Sequence, residues 1–142
     1  MKKIFSFVVC FLLVTMISLS FVACGGSKGK YKFYGVKIGD SEVKSSDLTD
    51  VQKVIYQTEL YEGDYIKLSG NSTFVKSDIT QNKNNDSYKT EIIYSGCYEV
   101  YGEKLILDFS PKGESNSFEY IIRDGKIFVP TIDAEIFYIY KK

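Results

Sequence analysis

From Tyr65 onwards the chain is a series of short stretches in which apolar and polar residues alternate, separated by turn residues. Alternation with a period of two is typical of β-strands that bury one face. The pair Asp124-Gly125 lies between two such stretches, 118–122 and 126–129, and Asp-Gly between alternating stretches is a strong hairpin signal. This part of the chain therefore predicts antiparallel strands joined by short connections.

The alternating stretches give about eight predicted strands with regular turns between them, a spacing that suggests a barrel or a sandwich. Aromatic and β-branched residues are frequent in them, and both kinds favour pleated sheet. Gly96 is predicted to form a β-bulge, and 39–46 is predicted to be a loop. The predicted strands lie at 30–38, 65–68, 73–79, 88–94, within 95–109 on both sides of Gly102-Glu103, and at 118–122, 126–129 and 134–140.

One segment has a different period. Leu48, Val51 and Ile55 follow the spacing of a helix face, so a short helix is predicted at about 47–57, after the first strand. Asp47 or Thr49 is the expected N-cap, and Thr49 with Gln52 has capping-box spacing. We expect the apolar face of this helix to cover one open end of a barrel.

The N-terminus carries an apolar run, 4–19, that follows Lys2 and Lys3. A basic start, an apolar run and a small residue before a cleavage site are typical of a secretory signal. The run is also about long enough to span a membrane. Its end resembles the lipobox of bacterial lipoproteins, in which the cysteine receives a diacylglycerol and the chain is cut before it; here the residues are Phe21, Val22, Ala23 and Cys24.

The lipobox resemblance implies a division of the chain into three parts. Residues 1–23 form the signal peptide, with cleavage between Ala23 and Cys24, the lipid is carried on Cys24, and 24–29 form a flexible Gly-rich tether. Residues 30–142 then form one domain. Such a protein is bound to the bacterial cell membrane through its lipid, palmitate included, and faces the extracytoplasmic side.

Composition excludes several kinds of partner and bond. Cleavage removes Lys2 and Lys3 and leaves 16 basic against 18 acidic residues, a balance that argues against nucleic-acid binding. After Cys10 leaves with the signal peptide and Cys24 is modified, Cys97 is the remaining cysteine, so no internal disulfide can form. We expect Cys97 to pack in a strand as a small, half-buried apolar group, with a reactive or dimer-forming thiol as the alternative.

A second resemblance covers roughly the last third of the chain. The stretches GCYEVYGEKLIL, FEYIIRDGKIFV and IFYIYKK look like the small lipocalin-like domains of bacterial lipoproteins; the matching residues are Gly96, Tyr98, Val100, Leu105, Leu107, Tyr120, Asp124, Gly125 and Ile127. The resemblance implies a mainly β fold: a small antiparallel lipocalin-like barrel of about eight strands with one short helix after the first. A β-sandwich is the alternative.

A lumen of eight strands is wide enough either to be filled by side chains or to hold one small ligand. The many aromatic rings, among them all 12 tyrosines of the chain, favour a filled lumen over a pocket. Buried tyrosine hydroxyls need hydrogen-bond partners. An interior lined by tyrosine is therefore expected to be partly polar.

No residue pattern indicates catalysis. The chain has no histidine, which removes the usual general base. The carboxylate pairs Glu99 with Glu103 and Glu62 with Asp64 flank predicted turns and are expected to be solvated. The 82–87 loop lacks the glycine and distal glutamate of a calcium loop, and Arg123 is expected to be exposed. No catalytic residue, metal site or cofactor is therefore predicted.

The sequence thus leads to a non-catalytic, lipid-anchored binding module. Its expected partner is a small apolar ligand or an envelope protein. A structural envelope lipoprotein with a filled barrel is the alternative, and an enzyme is the third candidate. The sequence indicates neither the identity of a ligand nor the oligomeric state.

Overall fold

The computed structural model describes residues 26–81, 89–110 and 116–142. Within these ranges the chain is mostly strand, and α1 (Asp50–Ile55) lies between the 3₁₀ turns Ser45–Asp47 and Thr58–Leu60. The strands are β1 (Gly29–Ile38), β2 (Ser41–Lys44), β3 (Tyr65–Leu68), β4 (Thr73–Gln81), β5 (Lys89–Tyr101), β6 (Lys104–Asp108), β7 (Ser117–Arg123), β8 (Lys126–Pro130) and β9 (Ile136–Lys141).

The sheet closes on itself. Strands β3 to β9 follow one another as antiparallel neighbours, β3 pairs with the first half of β1, and β9 pairs with β1 on its other side. Eight strands therefore form a closed barrel, and β2 is an extra strand on the second half of β1. Closure confirms the antiparallel lipocalin-like barrel, and a sandwich of two open sheets does not describe it.

The two ends of the barrel differ. Three tight turns lie at one end, which we call the turn end: 69–72, 102–103 and 124–125. The connections 39–64 and 131–135 lie at the opposite end, which we call the loop end. The described N-terminal residues also lie at the turn end, where the Tyr31 hydroxyl donates to the Ser27 carbonyl at 2.7 Å and the Lys142 ammonium donates to the Gly26 carbonyl at 2.6 Å. Residues 26–28, the described part of the predicted tether that precedes β1, thus contact the barrel.

Apolar side chains fill the half of the lumen nearer the turn end. Inward-facing residues alternate along each strand, and those of this half are almost fully buried; they include Tyr31, Leu68, Phe74, Leu105, Leu107 and Ile127. Tyr98 is also buried here, and its hydroxyl donates to the Ser69 carbonyl at 2.9 Å. This half is the hydrophobic core, and Cys97, the one cysteine among the described residues, forms no disulfide.

Three sequence predictions about the strands are wrong. The predicted 39–46 loop contains β2, and the predicted strand at 88–94 continues past Gly96 to form the single strand β5. Gly96 is not a bulge, because it pairs in register with Phe74. A Cβ atom at this position would lie only 2.0 Å from the carbonyl oxygen of Asp108. Glycine is therefore required at position 96 because the following strand approaches closely.

The helix is present but shorter than predicted, and it is capped as predicted. The Thr49 hydroxyl accepts from the Gln52 amide at 3.3 Å, and the Gln52 side chain accepts from the Thr49 amide at 3.0 Å. The expected burial of its apolar face is wrong: Leu48 is 5% exposed, but Val51 is 68% exposed and Ile55 also faces solvent. A helix of six residues is short, and the 3₁₀ turns on both sides turn its apolar face away from the lumen. The helix therefore does not cover the loop end.

The same substitution at two positions tests this orientation. Leu48→Asp places a charge in the core, so we expect the free energy of unfolding to fall by about 3 kcal/mol. Val51→Asp changes an exposed position in the first helical turn, where an acidic side chain is favourable, and we expect a change within about 0.5 kcal/mol. Urea unfolding of both variants checks this; an equal loss in both would contradict the exposed helix face.

The β7–β8 hairpin allows a second test. Asp124 and Gly125 both have positive φ, 51° and 70°, as the Asp-Gly signal predicts. No atom lies within 4 Å of a Cβ built at Gly125, so Gly125→Val adds backbone strain without a clash. We expect a loss of about 1–2 kcal/mol in the free energy of unfolding. Gly125→Asn is the matched control, because asparagine tolerates positive φ, and an equal loss in both variants would disprove the strain argument.

Candidate functional site

The loop end holds an open cavity of about 1310 Å³. The described residues of its wall come from the end of α1 and the segment that follows it, from the last part of β4, from the end of β8, and from the β8–β9 connection with the start of β9. Its floor, where β3 begins, is formed by Asp64 together with Lys76 and Tyr140. A cavity of this size accommodates a small organic molecule, and the expectation of a completely filled lumen is wrong at this end.

Two charged side chains are buried in the floor. Asp64 is 1% exposed, and its Oδ1 accepts the Ile79 amide at 2.6 Å. The Tyr140 side chain is also hydrogen-bonded to the Asp64 carboxylate. Lys76 is buried as well, and its ammonium forms an ion pair with Asp78, which is partly exposed to the cavity. Buried charges are rare unless they are paired, and both of these charges have partners.

Burial disfavours the charged form of both groups, so it raises the pKa of the acid Asp64 and lowers the pKa of the base Lys76. It raises the pKa of Asp64 to about 6, although the Ile79 amide and the Lys76 charge oppose the rise. It lowers the pKa of Lys76 to about 8, and the charge of Asp64 opposes this change. A pH of 7 lies above the pKa of Asp64 and below the pKa of Lys76, so the carboxylate is mainly deprotonated and the ammonium mainly protonated. The floor of the cavity is therefore ionic at neutral pH.

Aromatic rings surround this ionic floor. The ring centroids of Tyr61 and Tyr138, which both line the cavity, are 4.1 Å apart, and Phe33 lies 6.1 Å from Tyr138. The Tyr138 hydroxyl donates to the Tyr56 carbonyl at 3.0 Å, which ties β9 to the segment after α1. Burial raises the pKa of Tyr138 and Tyr140, so both hydroxyls stay protonated and can donate hydrogen bonds.

A second aromatic group lies on the opposite wall of the lumen. The rings of Phe109 and Phe118 are stacked with centroids 4.5 Å apart, and Tyr94 meets both edge-on. The Lys76 ammonium lies 5.5 Å from the Phe118 ring centroid and 5.8 Å from that of Tyr94. Both distances are within the range of a cation–π interaction. Lys76 is thus held between carboxylates and ring faces.

Most of the residues singled out from sequence lie away from the cavity. Cys97 is exposed, so the expectation of a half-buried thiol is wrong; it follows Gly96 on β5, opposite Asp108 of β6. Arg123 is exposed as expected, with its guanidinium 3.9 Å from the Glu103 carboxylate and 5.1 Å from the Phe128 ring centroid. Glu99 accepts from the Tyr101 hydroxyl at 2.6 Å on the exposed surface.

The other carboxylate pair is split. Glu62 is exposed, as expected for a turn residue, but Asp64 points into the barrel, and the expectation that it is solvated is wrong. Ala23 and Cys24, the predicted cleavage and lipid-attachment residues, lie outside the described residues, as does the 82–87 loop.

Lys76 and Asp78 were not singled out from sequence. They alternate with Val75, Ser77 and Ile79 in the stretch TFVKSDI. In a strand that buries one face, the apolar set is normally the inward one. In β4 the inward set is Phe74, Lys76 and Asp78. Phe74 lies opposite the buried Leu68 of β3, and Lys76 lies opposite the buried Ile66 of β3 and Tyr94 of β5. The available signal was that Phe74 shares its face with two oppositely charged residues.

Within residues 26–81, 89–110 and 116–142, no three or more Cys, Asp or Glu side chains are grouped so that they could hold a metal ion. In the same ranges no helix is both long and apolar enough to cross a membrane.

Comparison with protein-family models, curated proteins and solved structures gives no match to this chain.

The raised pKa of Asp64 predicts a specific dependence of stability on pH. Between pH 4 and 6 the unfolded chain has lost the Asp64 proton while the folded protein retains it, so rising pH favours unfolding. We expect the free energy of unfolding of the wild type to fall relative to that of Asp64→Asn over this window, by on the order of 2 kcal/mol. Lys76, Glu91 and Tyr140, the other groups that act on Asp64, are common to both proteins.

Urea unfolding at several pH values, followed by circular dichroism, measures this difference. A difference between the two proteins that stays constant, or that grows in favour of the wild type as the pH rises, would contradict the buried position of Asp64.

Proposed function

We propose that this chain is a lipid-anchored extracytoplasmic binding module that holds a small ligand in the loop end of its barrel, without catalysing a reaction. The observation that carries the proposal is the open cavity of about 1310 Å³ above an ionic floor. Ligand sites are typically concave, largely apolar and equipped with a few polar groups that fix orientation. This cavity has apolar and aromatic walls around Asp64, Lys76 and Asp78.

The buried charges add to this argument. Removing charged groups from water is unfavourable, and a well-packed apolar substitute is often equally stable or more so. Most of the lumen is filled with apolar and aromatic side chains. Apolar side chains could therefore also fill the floor of the cavity in place of the charged ones. We infer that the charges of Asp64 and Lys76 at the floor of the cavity serve to orient a bound ligand.

The lipid anchor is supported by the lipobox resemblance at Phe21 to Cys24. Residues 26–28 lie at the turn end, opposite the cavity. A lipid on Cys24 would then hold the turn end towards the membrane and leave the mouth of the cavity directed away from it. In this orientation a ligand enters from the side opposite the membrane.

The two other readings have less support. A structural lipoprotein with a filled barrel requires no cavity, and the loop end is open. Docking of an envelope protein has some support, because Val51 and Val54 form an exposed apolar face next to the mouth. The absence of histidine from the chain favours a binding role over an enzyme.

Two tryptophan variants test the binding role. Val129 lines the cavity, so Val129→Trp should fill part of it, whereas Ile93→Trp alters an exposed position on β5, outside the cavity. The measurement is ligand-observed NMR of the membrane-anchored protein in lipid nanodiscs, with a set of soluble cationic, anionic and neutral fragments.

We expect some fragments to bind to the wild type and to Ile93→Trp, and to bind at least tenfold more weakly to Val129→Trp, a loss of about 1.4 kcal/mol. Circular dichroism confirms that both variants are folded. Absence of fragment binding to the wild type, or equal binding to folded Val129→Trp, would contradict the proposal.

Matched cysteine variants test the anchor. Cells that produce the wild type, Cys24→Ser or Cys97→Ser are labelled with an alkyne analogue of palmitate, and the protein is examined by mass spectrometry. We expect label and loss of residues 1–23 in the wild type and in Cys97→Ser, and an unlabelled, uncleaved chain in Cys24→Ser. A full-length, unlabelled wild-type chain would contradict the lipoprotein assignment.

A further inference from the structure

The charges that line the cavity are mainly negative. Asp64, Asp78 and Asp133 contribute carboxylates, and Lys76 is the one basic residue among the described residues of the lining. With all four groups ionised the lining carries a net charge of −2. An anion entering the cavity meets a negative potential, whereas a cation is attracted.

The ammonium of Lys76 is already occupied. It forms an ion pair with Asp78 and lies against the Phe118 ring. An anionic ligand would have to displace Asp78 from this ammonium. A carboxylate offers about four lone-pair positions, so Asp78 can accept hydrogen bonds from a ligand cation while it keeps its contact with Lys76.

The rings at the floor also favour a cation. Tyr61 and Tyr138 line the cavity with centroids 4.1 Å apart, and the faces of tyrosine rings attract organic cations. The contribution of such contacts grows when the cation is removed from water, as it is in a cavity. Carboxylates and ring faces in one cavity are a suitable environment for an organic ammonium group.

The mouth of the cavity is lined by exposed apolar side chains, which favour a ligand with an apolar portion. Ile55, Leu60 and Ile132 line the cavity and have large exposed surfaces. A free metal ion or a fully polar cation would leave these side chains in water. A ligand with an apolar portion would cover them and gain free energy in proportion to the apolar area removed from water.

We propose that the cavity binds a small organic ammonium compound, with the cationic group held by Asp78 above the buried Asp64 and beside the rings of Tyr61 and Tyr138, and the apolar portion against Ile55, Leu60 and Ile132. This inference rests on the proposed binding function. It adds the chemical class of the ligand.

Three probes with the same phenyl-alkyl skeleton test the charge preference: 3-phenylpropylamine, 3-phenylpropanoate and 3-phenylpropan-1-ol. At pH 7 they are a cation, an anion and a neutral compound. Dissociation constants are measured by ligand-observed NMR with the membrane-anchored protein in nanodiscs, and empty nanodiscs give the background. We expect the amine to bind about tenfold more tightly than the acid, with the alcohol between them.

The outcomes separate the two proposals. If the acid or the alcohol binds as tightly as the amine, the cavity is a binding site but the ammonium assignment is wrong. If none of the three probes binds, both proposals fail.

Substitutions of the two carboxylates at the floor test whether these residues cause the preference for the amine over the acid. Asp78→Asn and Asp64→Asn each remove one negative charge, and we expect each to reduce the ratio of amine affinity to acid affinity about fivefold or more. Asp78 is partly exposed, so its variant keeps the test valid if Asp64→Asn does not fold. Asp124→Asn is the matched control, because it removes a carboxylate at the turn end and asparagine tolerates the positive φ of 51° there.

Lys76→Met completes the test, because it removes the competing ammonium and leaves the carboxylates. We expect amine binding to be maintained or strengthened in this variant. Loss of amine binding in folded Lys76→Met, or an unchanged amine-to-acid ratio in folded Asp78→Asn, would overturn the assignment.

Discussion

The pairing of β1 with β9 is the contact on which the rest of the molecule depends. The two strands run antiparallel from Lys32 opposite Lys141 to Ile38 opposite Ile136, with a register shift between Phe33 and Gly35. Without this ladder the sheet would have two open edges, and its inward residues would have no opposite wall. With it, residues far apart in sequence share one lumen, as Phe33 and Tyr140 do with ring centroids 5.8 Å apart.

The lumen of the closed barrel has two halves, one filled by apolar side chains and the other containing the cavity. Near the turn end, fully buried side chains such as Tyr31 and Leu105 fill the space and supply the stability of the fold. Near the loop end, Asp64 and Lys76 are buried at the floor of a cavity. The stability of the first half allows the second to retain charged groups that an apolar core would exclude. Stability and the proposed binding function therefore lie at opposite ends of one barrel.

The strands and turns could be predicted because their signals are local. Asp124 and Gly125 adopt positive φ as the hairpin signal requires, and Thr49 with Gln52 forms the predicted capping box. These features depend on a few neighbouring residues. They do not depend on what lies across the lumen.

The candidate site could not be predicted, because it depends on contacts between distant residues. Apolar Val75 indicates the wrong inward face for β4, and only the register with β3 and β5 places Lys76 inside. The sequence alone indicates that Asp64 is an exposed turn carboxylate. In the structure it is enclosed by β4 and β9, through hydrogen bonds from the Ile79 amide and the Tyr140 side chain. Val51 and Ile55 follow a helix face, yet the 3₁₀ turns on both sides of α1 turn that face towards solvent.

We propose that the loop end is a cavity in which a cationic ligand binds directly above the buried Asp64 carboxylate. A ¹³C NMR titration of the Asp64 carboxyl group, with and without 3-phenylpropylamine, tests it most directly. The structure predicts a pKa of about 6 for Asp64 in the free protein. A bound ammonium group stabilises the carboxylate, so the pKa should fall when the amine is added. A carboxyl group that titrates at the ordinary value of a solvated aspartate, or a pKa that saturating amine leaves unchanged or raises, would contradict the account.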